Sequence, residues 1–200
     1  LMHDASSETS LEQRCQSLYE KATRDPLTQV ANRAEFDRVH AMFVAAHQQQ
    51  QVPCALMICD LDRFKQVNDT YGHQAGDDVI RSLAALLKSS CRPGDLVARY
   101  GGEEFVVIMP QTDLFGASVF AERLRATVAE RLPVTLSGGV AAALDGDTRD
   151  TLLARADEAL FAAKRAGRNC IWRHDGRQVE PVLLGQHASD AAATEPAGAA

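Results

Sequence analysis

The stretch that decides the fold runs from residue 97 to residue 109, Val97-Ala-Arg-Tyr-Gly101-Gly102-Glu103-Glu104-Phe105-Val-Val-Ile-Met109. Two short apolar runs of β-prone residues flank a pair of glycines and a pair of glutamates. This pattern predicts a β-hairpin whose turn carries two adjacent carboxylates. Glycines let a backbone pass close to a ligand, and paired carboxylates suit a hard cation. Taken alone, the pattern also fits an ordinary exposed turn.

A second acidic cluster lies upstream, at the end of another apolar run. Residues 54–59 are continuously apolar and predict a short strand that is buried on both faces. The strand delivers Asp60-Leu61-Asp62 to its end. If this strand neighbours the hairpin, Asp60 and the Glu103-Glu104 pair converge and can bind one or two Mg²⁺ ions that carry a polyphosphate. The alternative is that these acids are unrelated surface residues.

Further polar residues follow the same logic. Lys65, Lys164 and Arg168 are placed to neutralise phosphate charge. An aspartate accepts hydrogen bonds from ring and amino N–H groups, while an asparagine pairs with a carbonyl. Asn68 together with Asp77 therefore suits guanine.

Periodic apolar patterns on either side predict alternating helices and strands. The predicted helices cover about 33–47, 77–90, 115–131 and 149–166, the further strands cover 134–141 and 169–173, and a polar loop covers 48–51. In residues 1–24, Leu11, Cys15, Leu18 and Ala22 form a short stripe. It indicates either the end of a helical linker or a helix that packs on its own domain. From residue 174 onward the composition predicts a mobile tail.

Composition bounds the function. A chain of 200 residues with 46% hydrophobic content suits one domain with a full core. A net charge of −6 argues against a broad nucleic-acid-binding surface. Five cysteines without a Cys-x-x-Cys pair indicate reduced thiols of a cytoplasmic protein, not a disulfide framework or a zinc site. No apolar run approaches the roughly 18 residues that would span a membrane, and no signal peptide is visible. Because the sequence begins at Leu1, we expect it to be part of a longer protein.

Six motifs in consistent order make the chain resemble a GGDEF domain, the catalytic domain of bacterial diguanylate cyclases. They are Asp25-x-Leu27-Thr28-x-x-x-Asn32-Arg33, Asp60-x-Asp62-x-Phe64-Lys65-x-x-Asn68-Asp69, Tyr71-Gly72-His73-x-x-Gly76-Asp77, Arg99-Tyr100-Gly101-Gly102-Glu103-Glu104-Phe105, Ser137-x-Gly139-Val140-Ala141, and Ala156-Asp157-x-Ala159-Leu160-Phe161-x-Ala163-Lys164-x-x-Gly167-Arg168-Asn169.

The resemblance implies an α/β fold of the ferredoxin-like type found in nucleotidyl cyclases and polymerase palms, with a central, mainly antiparallel sheet wrapped by helices. The catalytic domain would cover residues 25–173, a helical linker residues 1–24 and a disordered tail residues 174–200. The implied activity condenses two GTP molecules into cyclic di-GMP with release of two pyrophosphates. Each domain holds one GTP, so a homodimer is required. An upstream sensory or receiver domain, which can be membrane-anchored, would control the pairing through the linker.

The resemblance also assigns roles. Asp60, the Leu61 carbonyl, Glu103 and Glu104 would surround Mg²⁺, with Mn²⁺ as an alternative ion. Glu103 and Glu104 are the implied catalytic acids, and Glu103 helps activate the 3′-hydroxyl of GTP. The implied GTP-binding residues are Gly101 and Gly102 through their backbone, Asn68 and Asp77 at the guanine, Lys65, Lys164 and Arg168 at the phosphates, and Phe64.

A regulatory motif precedes the hairpin. Arg92-Pro93-Gly94-Asp95 matches the Arg-x-x-Asp inhibitory site of the family, where the product binds and stops turnover. Arg123 is expected to supply a second arginine to that site. A solvated ion pair of little energetic value is the alternative, and the spacing to the hairpin favours the inhibitory site.

Some positions depart from the family pattern. Gln29 and Val30 replace a usual Gly-Leu pair, so we expect an altered loop beside the phosphate site. Gly138 replaces a β-branched residue and is expected to loosen its strand slightly. Glu103 replaces aspartate in the motif that names the family. A second class of function stays open. The chain could be a non-catalytic module that senses GTP or cyclic di-GMP through Arg92 and Asp95. Such modules, however, typically lack the hairpin acids, which this chain keeps.

Overall fold

A six-stranded sheet forms the centre of the computed structural model, which describes residues 4–183 and their side chains from residue 13 onward. The strands are β1 (Cys54–Leu61), β2 (Leu96–Arg99), β3 (Glu104–Pro110), β4 (Leu136–Ala142), β5 (Ile171–His174) and β6 (Val179–Pro181). The helices are α1 (Asp4–Thr23), α2 (Arg33–Gln50), α3 (Phe64–Tyr71), α4 (His73–Ser90), α5 (Leu114–Arg131) and α6 (Arg149–Arg165).

The strands lie in the order β2-β3-β1-β4-β5-β6, and all neighbours are antiparallel except β4 and β5. The mainly antiparallel sheet predicted from the sequence is therefore confirmed. The central strand β1 pairs with β3 and β4, and all eight of its residues are buried. Its continuous apolar sequence follows from this position, because helices cover both faces.

The two faces of the sheet carry separate apolar cores. Alternate β1 residues such as Met57 pack in one core with Leu83 of α4 and Leu124 of α5. The others, such as Ile58, pack in a second core with Phe36 of α2 and Leu160 of α6. Because side chains alternate along a strand, Asp60 continues the second series and emerges on the α2 and α6 side of the sheet.

The predicted polar loop at 48–51 is wrong for its first three residues, because α2 continues to Gln50. Glutamine is a good helix former, so the glutamine run does not break the helix. Gln51 caps the helix end, since it adopts a left-handed φ of 55° and donates its N–H to the His47 carbonyl at 2.8 Å.

The predicted helix start at Asp77 is also wrong. The connection after β1 folds into α3, and α4 begins four residues earlier, at His73. Gly72 separates the two helices with φ 84° and ψ 163°, a conformation that is essentially restricted to glycine. Asp77 consequently lies inside α4.

The chain does not become an unstructured tail at residue 174. Residues 171–181 form a β5–β6 hairpin, whose turn is closed by the Asp175 carboxylate accepting the N–H groups of Arg177 and Gln178. Arg173 donates to Glu180 across the hairpin at 2.8 Å. The three-residue strand β6 carries little apolar patterning, so the sequence predicted β5 but not β6. The rest of the predicted tail, from residue 184, lies outside the described residues.

Two strand boundaries shift as well. β4 begins at Leu136 instead of residue 134, and β5 at Ile171 instead of residue 169. Gly138 does not leave a gap in β4, because the ends of Ile171 and Met57 lie 2.8 and 2.9 Å from the point that a β-carbon would occupy. The packing at this glycine is therefore close, and the expected slight loosening of the strand stays a prediction.

α1 extends from the domain with exposed side chains. Every residue from 13 to 22 is exposed, including Cys15, Leu18 and Ala22. This rules out the alternative that the described part of α1 packs on its own domain, while the Leu11 side chain lies outside the described ones. The helix end is anchored by Asn32, whose side-chain amide donates to the Ala22 carbonyl and whose N–H donates to the Thr23 carbonyl, both at 2.8 Å. Within residues 4–183, none of the helices combines the length and the apolar character needed to cross a membrane.

Candidate active site

The two acidic clusters meet at one edge of the sheet. In the β1–β3 pair Asp60 is the direct Cα partner of Glu104, and in the β1–β4 pair it is the partner of Ser137. Glu103 precedes Glu104 in the hairpin turn. The sequence analysis expected the acids to converge if their two strands were neighbours, and β1 and β3 are neighbours. Three carboxylates therefore lie around the end of the central strand.

The electrostatics reflect this crowding. Burial raises the pKa of the Asp60 carboxyl, although a hydrogen bond and the positive charge of Lys164 act to lower that pKa. Lys164 Nζ lies 3.0 Å from Asp60 Oδ2. Burial also raises the pKa of Glu103, and the negative charges of Asp60 and Glu104 raise it further. A nearby cation would relieve this repulsion.

The donor atoms at this edge fit a hard divalent cation. Asp60, Glu103 and Glu104 supply carboxylate oxygens, which Mg²⁺ prefers. Leu61 has its side chain fully in the core, so only its carbonyl is available as a ligand. Among the side chains from residue 13 to 183, no three acidic, histidine or cysteine groups are already gathered at metal-binding distances. The fit therefore rests on the donor chemistry and on the clustered charge.

The hairpin turn owes its shape to its glycines and to one arginine. A β-carbon on Gly101 would lie 2.6 Å from Glu104 Oε2, so a side chain there would displace the carboxylate. The α-carbon of Gly102 faces open space, which leaves its backbone accessible. Arg99 donates to the Gly102 carbonyl at 2.7 Å and pairs with Asp25 at 3.2 Å.

Arg99 and Asp25 belong to the sequence motifs, but the sequence indicated no role for either residue. The Asp25 carboxylate also accepts the N–H and hydroxyl of Thr28, at 2.9 and 2.7 Å. The fixed carboxylate orients Arg99, which in turn fixes the residue that precedes Glu103. The contact joins positions that are 74 residues apart, so no local pattern predicts it. The one hint in the sequence was that both residues belong to motifs.

The predicted guanine-reading residues lie on adjoining helices. Asn68 is on α3 and Asp77 is on α4, next to Gly76. A β-carbon on Gly76 would lie 1.9 Å from Asn68 Oδ1 and 3.0 Å from the ring of Phe64. The buried Gly76 therefore lets α4 approach α3 closely at Asn68, and Asp77 is the next residue of α4. Sequence reasoning quoted Gly76 but missed this function.

The predicted phosphate-binding residues divide into two groups. Lys164 lies near the end of α6 and contacts Asp60, and Arg168 in the following turn is close enough to lower the pKa of Asp60. Lys65 is exposed in the first turn of α3 and forms no ion pair with the described side chains. The structure therefore brings Lys164 and Arg168 to the carboxylates, whereas Lys65 makes no described contact with them.

Comparison with known proteins agrees with this geometry. The family model described as "Diguanylate cyclase, GGDEF domain" matches residues 22–170. The chain belongs to the GGDEF family. It is 40% identical over 158 residues to diguanylate cyclase DgcP of Pseudomonas aeruginosa, a match that covers 75% of this chain and 24% of that protein. The chain thus spans only a fraction of the length of this relative.

Solved structures match as well. The coiled coil and GGDEF domain of DgcB from Caulobacter crescentus, in complex with cyclic di-GMP, superposes with a TM-score of 0.81 at 33% identity and covers 86% of this chain and 96% of that one. An active GGEEF domain of a diguanylate cyclase from Vibrio cholerae matches with a TM-score of 0.66 at 32% identity, over 72% and 94% of the two chains. The latter carries the same glutamate in the motif that names the family.

The predicted inhibitory residues of this GGDEF domain come together. Arg92, Asp95 and Arg123 line one cleft of about 210 Å³. Asp95 is not a freely solvated residue, since only 5% of its side chain is exposed. It accepts the N–H of Arg92 at 3.0 Å, and the Arg92 guanidinium also donates to Thr112 at 2.6 Å and to the Pro110 carbonyl. Arg92 is thus pre-oriented.

The loop with the Gln29 and Val30 departures packs against β2 and α4. Its chain pairs with β2, where the Ala31 N–H donates to the Val97 carbonyl. Gln29 adopts a φ of 58°, which explains why glycine is usual at this position. The Gln29 carbonyl accepts from Lys88 at 3.0 Å, and Val30 is fully buried. The loop therefore supports the hairpin strand β2, and an altered loop beside the phosphate site stays a prediction.

Proposed function

We propose that this GGDEF domain is a diguanylate cyclase that condenses two GTP molecules into cyclic di-GMP and releases two pyrophosphates. The observation that carries the proposal is the direct pairing of Asp60 with Glu104 beside Glu103 and Lys164. This edge offers clustered carboxylates for a metal ion and a lysine for phosphate charge, which is the chemistry of nucleotidyl transfer.

Asp60, Glu103, Glu104 and the Leu61 carbonyl would hold the metal, which we propose is Mg²⁺ with Mn²⁺ as an alternative. The bound ion would neutralise phosphate charge and align the reacting oxygens. Glu103 lies half-buried in the hairpin turn, next to the exposed Gly102. As a carboxylate at this turn, it would act as the general base that accepts the proton of the attacking 3′-hydroxyl.

The remaining residues would bind the nucleotide. Asn68 and Asp77 would read the guanine, with Phe64 packed behind them. The backbone of Gly101 and Gly102 would lie against the nucleotide, and Lys65, Lys164 and Arg168 would hold its phosphates. One GTP fits one such site, so the second GTP must come from a facing copy. We therefore propose that the active species is a homodimer.

We further propose that the cleft of Arg92, Asp95 and Arg123 binds cyclic di-GMP as an inhibitor. Two arginines around a buried carboxylate suit a ligand with two phosphates and guanine bases. The upstream sensory or receiver domain and the cytoplasmic location stay predictions.

Product analysis tests the proposal. The purified chain is incubated with GTP or ATP, in Mg²⁺, in Mn²⁺ or with a chelator, and the nucleotides are separated and identified by mass. The expected result is cyclic di-GMP with two pyrophosphates per molecule, formed from GTP and only with metal. Equal use of ATP would contradict the guanine-reading pair, and product formation in chelator would contradict the metal site.

A further inference from the structure

Asp62 belongs to the acidic cluster singled out in the sequence, yet it has no part in the proposed chemistry. Its residue surface is only 6% exposed. Its carboxylate accepts three hydrogen bonds, from the Ser137 hydroxyl at 2.6 Å, the Thr135 hydroxyl at 2.7 Å and the Asn169 N–H at 2.9 Å. Among the described side chains it has no cationic partner. Burying a carboxylate is costly unless donors surround it, and these three donors offset that cost. In return, the carboxylate holds the three chain segments that supply the donors.

The third donor belongs to a strained turn. Gly167, Arg168 and Asn169 have φ values of 117°, 70° and 48° in succession. The left-handed region is unfavourable for residues other than glycine, and both Arg168 and Asn169 adopt it. Such strain persists only where surrounding contacts fix the backbone, and it concentrates at functional sites.

Contacts from three sides fix this turn. Asp62 accepts the Asn169 N–H, Arg125 donates to the Asn169 side chain at 2.8 Å, and the Arg168 N–H donates to the Ala163 carbonyl at 3.1 Å. Arg125 is itself held by Glu122. The backbone of Arg168 is thus fixed on both sides while its side chain remains exposed.

Asp62 joins the three segments that build the phosphate side of the site. It follows the end of β1, which carries Asp60. Its two hydroxyl donors come from Thr135 and Ser137 at the start of β4. Its N–H donor comes from the turn after α6; this turn contains Arg168, and Lys164 lies in the last turn of α6. A single carboxylate therefore sets the spacing between the metal-binding aspartate and the phosphate-binding cations.

We propose that Asp62 is a positioning residue that holds the 167–169 turn, and through it Arg168, against the terminal phosphates of GTP. The inference rests on the proposed function for the role of Arg168. Asp62 does not touch the nucleotide. Its removal should therefore weaken binding of the triphosphate and leave the guanine contacts unchanged.

The test is equilibrium binding of α,β-methylene-GTP, whose α–β linkage cannot be cleaved, and of GMP to the full chain in Mg²⁺. Asp62→Asn keeps the shape of the side chain but places an amide among three donors. We expect it to weaken triphosphate binding about tenfold, as loss of an outer partner typically does, with GMP binding changed less than about twofold. Asp69→Asn, an exposed aspartate on α3, is the control and should change neither.

A double-mutant cycle separates the possible failures. In an Arg168→Ala background, Asp62→Asn should add no further loss for the triphosphate. Equal weakening of GMP, a loss that persists without Arg168, or no loss at all would each overturn the inference. If Arg168→Ala alone leaves triphosphate binding intact, the phosphate role in the proposed function is wrong instead. If Asp62→Asn does not fold, Thr135→Val is the substitute. It removes one of the two donors to Asp62 Oδ2, the oxygen that also accepts the Asn169 N–H, and should weaken triphosphate binding less than about tenfold without changing GMP binding.

Discussion

Asp60 and Glu104 are direct partners across the β1–β3 pair, and Lys164 bonds the Asp60 carboxylate at 3.0 Å. Two acids facing each other on neighbouring strands repel and would destabilise the sheet. Their position at the strand ends, beside Glu103 and a lysine, is what we expect if a cation and its phosphates bind there, as proposed above.

Glu104→Gln should abolish turnover while the fold persists. The change keeps the size of the side chain but removes one negative charge from the metal site. We expect the rate of cyclic di-GMP formation at saturating GTP to fall by at least about 100-fold, since even outer-shell changes at metal sites cost up to that much. Glu130→Gln, on the exposed end of α5, is the matched control. Wild-type rates in Glu104→Gln would refute the metal assignment.

Arg92→Ala should relieve product inhibition without lowering the initial rate. A charge-assisted hydrogen bond contributes about 1.5–3 kcal/mol, so the inhibitory concentration of cyclic di-GMP should rise by about tenfold or more. Initial rates are measured with added cyclic di-GMP, and Arg38→Ala on α2 serves as the control. Unchanged product sensitivity in Arg92→Ala would mean that the cleft does not bind the inhibitor.

Gly76→Ala should impair GTP binding through Asn68. The new methyl group would overlap Asn68 Oδ1, so the asparagine must move away from the guanine site. We expect the KM for GTP to rise about tenfold with a smaller change in kcat, the loss typical of a disturbed guanine contact. The matched test is Gly76→Ala in an Asn68→Ala background, where most of the clash is absent and little further increase should appear. An independent, additive increase would contradict the steric explanation.

His40 should make stability fall in mild acid. It is fully buried against Phe36, and neither ring nitrogen has a hydrogen-bond partner among the described residues. Burial, assisted by the charge of Arg149, lowers its pKa from 6.5 to about 4, although Asp37 and Asp150 act to raise it. The unfolded chain therefore binds a proton below pH 6.5 that the folded chain refuses until about pH 4, so His40 destabilises the fold as the pH drops through this window.

Between pH 7 and pH 5 this difference corresponds to about 2 kcal/mol of the free energy of unfolding. His40→Leu should remove that part of the pH dependence and be neutral or stabilising at pH 7, because it replaces unpaired buried nitrogens by an apolar group. Urea unfolding at the two pH values measures the effect, with the exposed His73→Leu as the control. An identical pH dependence in wild type and His40→Leu would contradict the explanation.

Local sequence predicted the parts of the fold that local patterns determine. The apolar run of β1 and the Gly-Gly turn of the hairpin were sufficient to place Asp60 and Glu104 at strand ends. The start of α4 was missed because it is set by the backbone conformation of Gly72, and the spacing of apolar residues does not change at that point. Strand β5 was predicted with a start two residues too early, and β6 was missed because it has only three residues, joined to β5 by a turn at Asp175.

The site was predicted as a set of residues, but its supporting contacts were not. Arg99 reaches Gly102 and Asp25, and Asp62 reaches Asn169 across 107 residues of sequence. Such contacts depend on which strands become neighbours, and no spacing rule encodes that. The roles of Arg99, Asp62 and Gly76 therefore became visible only once the sheet order was known.

The most direct measurement is the initial rate of cyclic di-GMP formation from GTP and Mg²⁺ over a wide range of protein concentrations. If two facing domains each contribute one GTP, product appears and its rate rises more than proportionally with protein concentration, until the dimer saturates. The absence of product at every concentration, even with an added dimerising partner, would contradict the account. The chain would then be a nucleotide-binding module and not an enzyme.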